Sequence, residues 1–197
     1  MRTQHRELTY YVAVTIDGYI AGPAGEFDFF GIDPEVVAAM NAIRPETVPT
    51  ALREEHGIAD APNRLYDTVL MGRATYEVGL PFGFTSPYSH LRQIVFSGTL
   101  DPDIAGDDKT LEVVDADPLE FVRALKQEEG QGIWLCGGGR LAATLLPEID
   151  EIVVKRYPVV AGQGIRMFDG PFHPTRHRLV ATRDFDCGAQ VQTYRKE

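Results

Sequence analysis

Five apolar runs separated by helix signals or long connections, then three with no helix between them, leave few folds open to this chain. The runs are LTYYVAVTI, YDTVLMG, QIVFSG, LEVV and IWLC, followed by EIVVKRYP, HRLVATRDF and AQVQTYRK. Strands that alternate with helices pair in parallel, and the helices cover both faces of the sheet. Three strands lacking crossover helices demand at least one antiparallel pair. The expected class is α/β: a three-layer α/β/α sandwich around a mixed, mostly parallel eight-stranded sheet. At 197 residues the chain suits one domain, residues 1–197, long enough to bury both faces of such a sheet.

The helix signals are local and physical. In DPEVVAAMNAI, Asp33 stands at an N-cap and Pro34 at the first helical position, and Val36, Val37, Met40 and Ile43 recur at helical spacing. In DPLEFVRALKQEEG, Asp117 caps, Pro118 opens, Glu120 completes a capping box and Gly130 stops the helix. Shorter helices are expected over residues 75–78 and from the triple glycine to Pro147. Residues 44–65 carry three prolines and a short polar helix candidate at 50–56; they are the least regular segment.

Charge and cysteine content exclude several classes. A net charge of −10 lacks the basic face that nucleic acid or an anionic membrane requires, so neither is an expected partner. No apolar stretch reaches the length of a membrane span, and MRTQHRELTY has no hydrophobic core of a secretory signal. Cys136 and Cys187 cannot by themselves hold zinc, no His pair has zinc spacing, and no metal is expected. A reducing cytoplasm is the expected location.

Three strands end in similar language. Met71 leads into Gly72-Arg73-Ala74-Thr75, Phe96 into Ser97-Gly98-Thr99, and Cys136 into Gly137-Gly138-Gly139-Arg140. Ligands of an open parallel sheet bind beyond the carboxyl ends of its strands, where helix N-termini present free N–H groups. Small residues, hydroxyls and arginines at such ends make a rim for phosphate. Two readings of the triple glycine stay open: a tight turn needing positive φ, or a place where an anion approaches the backbone. The Rossmann spacing G-x-G-x-x-G does not follow the first strand, and neither a P-loop nor G-x-S-x-G is present.

DTVLMGRATYEVG, QIVFSG and IWLCGGGRLAATLLPEIDEIVVKRYPVVAGQGIRMFDG resemble dihydrofolate reductase and its relative, the reductase domain of bacterial riboflavin biosynthesis; YYVAVTIDGYIAGPAGEFDFF is similar to the opening of the stand-alone members of that superfamily. The resemblance implies the same sandwich and hydride transfer from NADPH to a small heterocyclic (pterin- or pyrimidine-like) or carbonyl or imine substrate. It places Gly72, Arg73 and Thr75 at the adenosine-side phosphates, with Ser97 beside them. Gly137, Gly138 and Gly139 would pass under the pyrophosphate with Arg140 adding charge, and the backbone of Ala13 and Ile20 would meet the nicotinamide carboxamide. It further implies a homodimer built through the sheet edge or its neighbouring helices; the two C-terminal strands end the sheet, and Arg178, Arg183 and Arg195 would instead blunt that edge in a monomer. The alternatives are a reductase of 5-amino-6-(5-phosphoribosylamino)uracil and a nucleotide-binding module without catalysis.

The chain departs from dihydrofolate reductases at the substrate end. The first loop lacks their Pro-Trp dipeptide, residues 44–65 read as an insertion, and two acids, Asp28 and Asp33, compete for the substrate-contacting place. Asp28, between Phe27 and Phe29, is expected to be partly desolvated; Asp33 reads first as a cap. Asp17 reads as a turn residue, Trp134 and Tyr76 as core, and Cys136 as a small inert hydrophobe. Among the histidines, His90 is expected to face a cleft.

Overall fold

The structure is a computed structural model that describes residues 5–197; the start of the N-terminal stretch weighed above as a signal, residues 1–4, lies outside the described residues. Its eight-stranded sheet contains all eight expected strands: β1 (Leu8–Val14), β3 (Tyr66–Gly72), β4 (Arg92–Phe96), β5 (Leu111–Val114), β6 (Gly132–Gly137), β7 (Glu151–Arg156), β9 (His177–Asp184) and β10 (Gln190–Lys196). Two very short strands, β2 (Tyr19–Ala21) and β8 (Ile165–Arg166), pair separately. The order is β5-β4-β3-β6-β1-β7-β10-β9, parallel from β5 through β7 and antiparallel across β10 and β9.

The period of two along β1 sorts its side chains between the layers. Leu8, Tyr10, Val12 and Val14 join a cluster with Val122 and Leu125 of α3 (Pro118–Leu125) and with Leu141, Ala142 and Leu145 of α4 (Gly139–Leu145). Tyr11 faces the other way, toward Val36, Ala39 and Met40 of α1 (Pro34–Ile43) and Tyr76 of α2 (Arg73–Glu77). Each fully buried side chain such as Leu125 or Val122 contributes roughly 1.5–3 kcal/mol. Trp134 and Tyr76 are core residues, 4 % and 1 % exposed.

The caps behave as their residue types dictate. Asp33 Oδ1 accepts from the N–H groups of Glu35 (3.0 Å) and Val36 (3.1 Å), and Asp117 Oδ1 accepts from Glu120 (2.9 Å). α1 stops at Arg44, because the residue before Pro45 is barred from helical dihedrals. The third helix is shorter than expected: it ends at Leu125, and turns carry the chain on to Gly130.

The insertion holds only one-turn 3-10 helices, Pro45–Thr47 and Thr50–Leu52, in place of the expected helix at 50–56. Its order comes from three buried charged side chains. Arg53 donates to the carbonyls of Pro45 (2.9 Å) and Ala61, Glu46 Oε1 accepts from Leu65 (2.7 Å) and Tyr66 (2.9 Å) N–H, and Arg44 donates to Tyr66 Oη (3.1 Å).

Candidate functional site

The chain enters the sheet at β1 and leaves through α1 on one face, whereas β6 leaves through α4 on the other. β1 and β6 are neighbours, with Tyr10 opposite Leu135. Adjacent parallel strands whose helices depart to opposite faces open a crevice at their carboxyl ends, where open α/β sheets bind ligands. Gly137, Gly138 and Gly139 sit at the end of β6, and Ala13 near the end of β1.

The three glycines are there for three different reasons. Gly137 has φ +146°, a backbone conformation that side chains resist. Gly139 is pressed by its own chain: a Cβ there would overlap the Arg166 carbonyl oxygen of β8. Gly138 has φ −94° and ψ −167°, open to any residue, and a Cβ would meet only the Thr75 hydroxyl at 3.3 Å. The Gly137–Gly138 peptide is cis. Only Gly138 is therefore left without a demand from the chain itself; Gly139 is required by packing against β8, whatever its backbone N–H meets.

Around Gly138 the rest of the rim converges. Thr75 Oγ1 faces both Gly137 and Gly138, and Gly72 lies against the Gly138 nitrogen and the Gly137 carbonyl. Gly72 and Gly138, as N-caps of α2 and α4, offer no side-chain cap, so the first N–H groups of both helices stay open. Arg73 Nη1 donates to Thr99 Oγ1 (2.6 Å) and its Nε pairs with Glu77 (3.1 Å). Ser97 Oγ accepts from the N–H groups of Thr99 (3.2 Å) and Leu100 (3.0 Å), which folds the end of β4 toward Arg73. Two features were not foreseen. Asp115 stands beside Gly98, where a Cβ would come within 2.8 Å of its Oδ1. Arg140, 89 % exposed in its side chain, pairs with Asp169 at 3.4 Å and is not folded over the glycines.

Ile20 lies in β2, partly buried against the α3–α4 layer, and β2 is held by β8 and by Asp17. Asp17 is more than a turn residue: Oδ1 accepts from the Thr15 hydroxyl (2.7 Å) and Ala161 N–H (3.1 Å), and Oδ2 from Gly162 N–H (2.7 Å). The Thr15 bond, followed by those backbone donors, pushes its carboxyl down to about 2.

On the α1 face, Ala13 is in register with Lys155 of β7. The Lys155 ammonium lies 4.5 Å from the centre of the Tyr11 ring, and the Arg44 guanidinium 5.3 Å from the same ring. Tyr157 continues the face, its ring 5.2 Å from that of Phe30, while Tyr88 and Cys136 pack into the same layer. Burial pushes the Cys136 thiol up to about 11, which keeps it protonated and inert. Burial is the largest influence on Lys155 and pulls its pKa down, but its interactions with Tyr11 (a side-chain hydrogen bond among them), Tyr157 and Cys136 turn the net direction up.

The two candidate acids separate. Asp28, in the one-turn helix Asp28–Phe30, is exposed: Phe29 and Phe30 turn their rings toward each other, 4.5 Å apart, so the expected desolvation does not occur. Asp33 is half-buried and faces the cluster; burial raises the Tyr157 phenol, and the Asp33 carboxylate adds to that rise. Lys155, Tyr157 and Tyr88 escaped the sequence reading. The readable signal was phase: Lys155 falls two residues after buried Val153, on the same inward face of β7.

Two cavities lie elsewhere. One of about 410 Å³ sits at the amino ends of the strands among Arg6, Lys126, Glu148 and Asp150, and one of about 560 Å³ within the insertion. The first is laced by the Lys126–Asp150 ion pair and lies at the end opposite the open helix N-termini. His90 lines the second, bonded to Thr50 Oγ1 (2.7 Å) and the Glu46 carbonyl (2.9 Å). Among the described residues no three His, Cys, Asp or Glu side chains converge to hold a metal ion, and no helix is long and apolar enough to cross a membrane.

Comparison with known proteins agrees with this architecture. The family described as RibD C-terminal domain matches residues 6–191. The Bacillus subtilis protein YwjB is 30% identical over 192 residues, covering 96% of this chain and 98% of YwjB. Among solved structures, a putative riboflavin biosynthesis protein from Shewanella sp. PV-4 is similar at TM-score 0.68 and 22% identity, over 97% of this chain and 99% of that one. Dihydrofolate reductase from Enterococcus faecalis is similar at TM-score 0.62 and 17% identity, over 97% and 96%. The sandwich is thus of the dihydrofolate reductase type.

Proposed function

The chain belongs to the RibD C-terminal domain family, and on that premise we propose that it is an NADPH-dependent reductase of a small heterocyclic or carbonyl or imine compound. Gly138 carries the reading: it is a glycine that neither backbone conformation nor packing requires, set in a crevice between two uncapped helix starts. A side chain there would fill space that a pyrophosphate needs, so the residues present fit the cofactor. The Enterococcus faecalis reductase, of the same fold, was solved as a complex with NADP(H).

Bound there, the cofactor would supply the hydride. Gly72, Thr75, Gly137 and Gly138 would hold its phosphates through backbone N–H groups and a hydroxyl, and Arg73, Ser97 and Thr99 the adenosine end. Ala13 would set the plane of the reactive ring through its backbone. Tyr11, Tyr157 and Phe30 would cover the substrate and exclude water. Asp33 is the better placed of the two acids for a substrate N–H, since only its Oδ1 is spent on the cap. We place the protein in the cytoplasm, with no nucleic acid or membrane partner.

The test is a fluorescence titration with NADPH, followed by NADPH oxidation over a panel of pterins, pyrimidines and quinoid compounds. Saturable binding and turnover with at least one member are expected. Binding without any turnover favours a nucleotide-binding module, and no binding overturns the reading.

The same reading includes a homodimer. β9 ends the sheet with seven of its eight residues exposed, Leu179 (49 %) and Val180 (38 %) among them. Arg195 does not guard this edge: it lies on β10 and is engaged by Glu7 (3.0 Å) and Glu151 (3.2 Å). Light scattering at micromolar concentration is expected to give about twice the 21.8 kDa chain mass, and the single-chain mass would remove the dimer.

A further inference from the structure

We propose that the cavity inside the insertion is a second ligand site, and that it takes a small zwitterion with an anionic group at the buried floor and an ammonium at the exposed rim. Nothing in this depends on the reductase reading. The cavity lies ahead of Tyr66 and Arg92, at the amino ends of β3 and β4, whereas the crevice opens at the carboxyl ends of the strands.

The floor carries a cation without an acid. Among the described residues three arginines are buried, and two have carboxylate partners: Arg6 pairs with Asp67, and Arg44 with Glu151 at 3.8 Å. Arg53, 5 % exposed, has no carboxylate within 4.0 Å among those residues. Its Nη1 and Nη2 donate to the carbonyls of Pro45 (2.9 Å) and Ala61, and Nη1 faces His90 Nε2 at 3.4 Å. Carbonyls orient a guanidinium but do not cancel its charge, and it keeps further N–H groups. Glu46, the buried acid of the insertion, spends Oε1 on the N–H groups of Leu65 and Tyr66. A buried charge is normally paired, because leaving water without compensation is costly. An anion entering the cavity that Arg53 lines supplies that partner.

The groups beside Arg53 suit the same end of a ligand. A carbonyl can only accept, so His90 Nε2 carries the hydrogen given to Glu46 (2.9 Å), and Nδ1 accepts from the Thr50 hydroxyl (2.7 Å). Burial, with the Arg53 charge beside it, holds the His90 pKa below its ordinary value, against the opposing pull of Glu46. The ring is therefore neutral at neutral pH and can take up a proton when an anion arrives. Asn63 gives an amide N–H to the His90 carbonyl (3.0 Å) and keeps a second one.

The rim has the opposite sign. Glu54 and Asp60, both exposed, line the same cavity. A simple anion is repelled by these carboxylates, and a simple cation by Arg53. A molecule bearing both charges at its two ends satisfies floor and rim together. The volume, about 560 Å³, is that of a small-molecule pocket rather than a single-ion site.

The experiment titrates glycine, γ-aminobutyrate and ε-aminocaproate calorimetrically into the full chain, with acetate and ethylammonium as single-charge controls. At least one zwitterion is expected to bind at millimolar or better, and at least about fivefold more tightly than either control. Exchanging both rim acids, Glu54→Gln with Asp60→Asn, should remove that margin without weakening acetate; both side chains are exposed, so the fold is kept. Arg53→Met should weaken zwitterion and acetate alike, about ten- to a hundredfold. If circular dichroism shows that variant unfolded, the rim variant and His90 decide. Followed by NMR, the His90 pKa should rise in the presence of the bound zwitterion, since a carboxylate favours the imidazolium. The site is overturned by any of four results: no saturable binding, acetate equal to the best zwitterion, a rim variant with undiminished affinity, or a His90 titration that a saturating zwitterion does not move.

Discussion

Gly138→Ala is expected to leave the protein folded and to weaken NADPH binding about a hundredfold. At φ −94° alanine is unstrained, and the Thr75 hydroxyl in its way needs only a rotation about χ1. Stability should therefore change by less than about 1 kcal/mol. The loss in binding follows from a phosphate contact to a backbone N–H group, worth roughly 1.5–3 kcal/mol when charge-assisted, which a methyl group would displace. Its neighbours behave differently. Gly139→Ala drives a methyl into the Arg166 carbonyl and should cost more than about 4 kcal/mol or prevent folding. Gly137→Ala should lose roughly 1 kcal/mol or more at its positive φ. Melting curves and NADPH titrations on the three variants measure both quantities. A folded Gly138→Ala with unmodified affinity would return the whole run to chain geometry.

NADPH should be preferred over NADH at least tenfold in kcat/KM at low salt, and Arg73→Ala should erase most of that ratio while sparing NADH turnover. Arginine suits a 2′-phosphate because its planar fork makes bidentate, charge-assisted bonds. The structure sets two brakes. The Arg73 side chain is half exposed and shared with Glu77 and Thr99, so its gain falls toward tenfold rather than a hundredfold. Asp115, beside Gly98, brings a carboxylate to the same end of the rim, where an acid favours a ribose hydroxyl. Asp115→Asn should accordingly raise the preference, and added salt should reduce it. Equal use of both cofactors by the unmodified protein, or a preference that survives in Arg73→Ala, would take the assignment away from Arg73.

Much of the fold was legible because its causes are local. Asp33 and Asp117 cap their helices through backbone groups two or three residues away, and each long strand announces itself by its own apolar run. What stayed hidden has distant causes. β2 and β8 are three and two residues long, too short for any pattern, and exist because Asp17 and Gly139 bring remote loops together. The insertion is ordered by Arg53 and Glu46 bonding to backbone, not by helix propensity. The rim was readable as a set, since glycines and hydroxyls ended three strands. Its members' separate duties were not: Gly139 answers to Arg166, and Arg140 to Asp169. Asp28 misled because flanking rings in sequence say nothing about where those rings turn.

The position of β1 also governs when the protein can form. Its six buried residues out of seven are hydrogen-bonded between β6 and β7, which begin at Gly132 and Glu151. A nascent chain emerging from the ribosome therefore carries its first and most apolar strand unpaired until two thirds of the sequence has been made. Local hairpins cannot shelter it, because every pairing of β1 spans more than a hundred residues. Collapse of the sheet is postponed to the last part of synthesis, and over that interval LTYYVAV is the segment a holdase chaperone would find exposed.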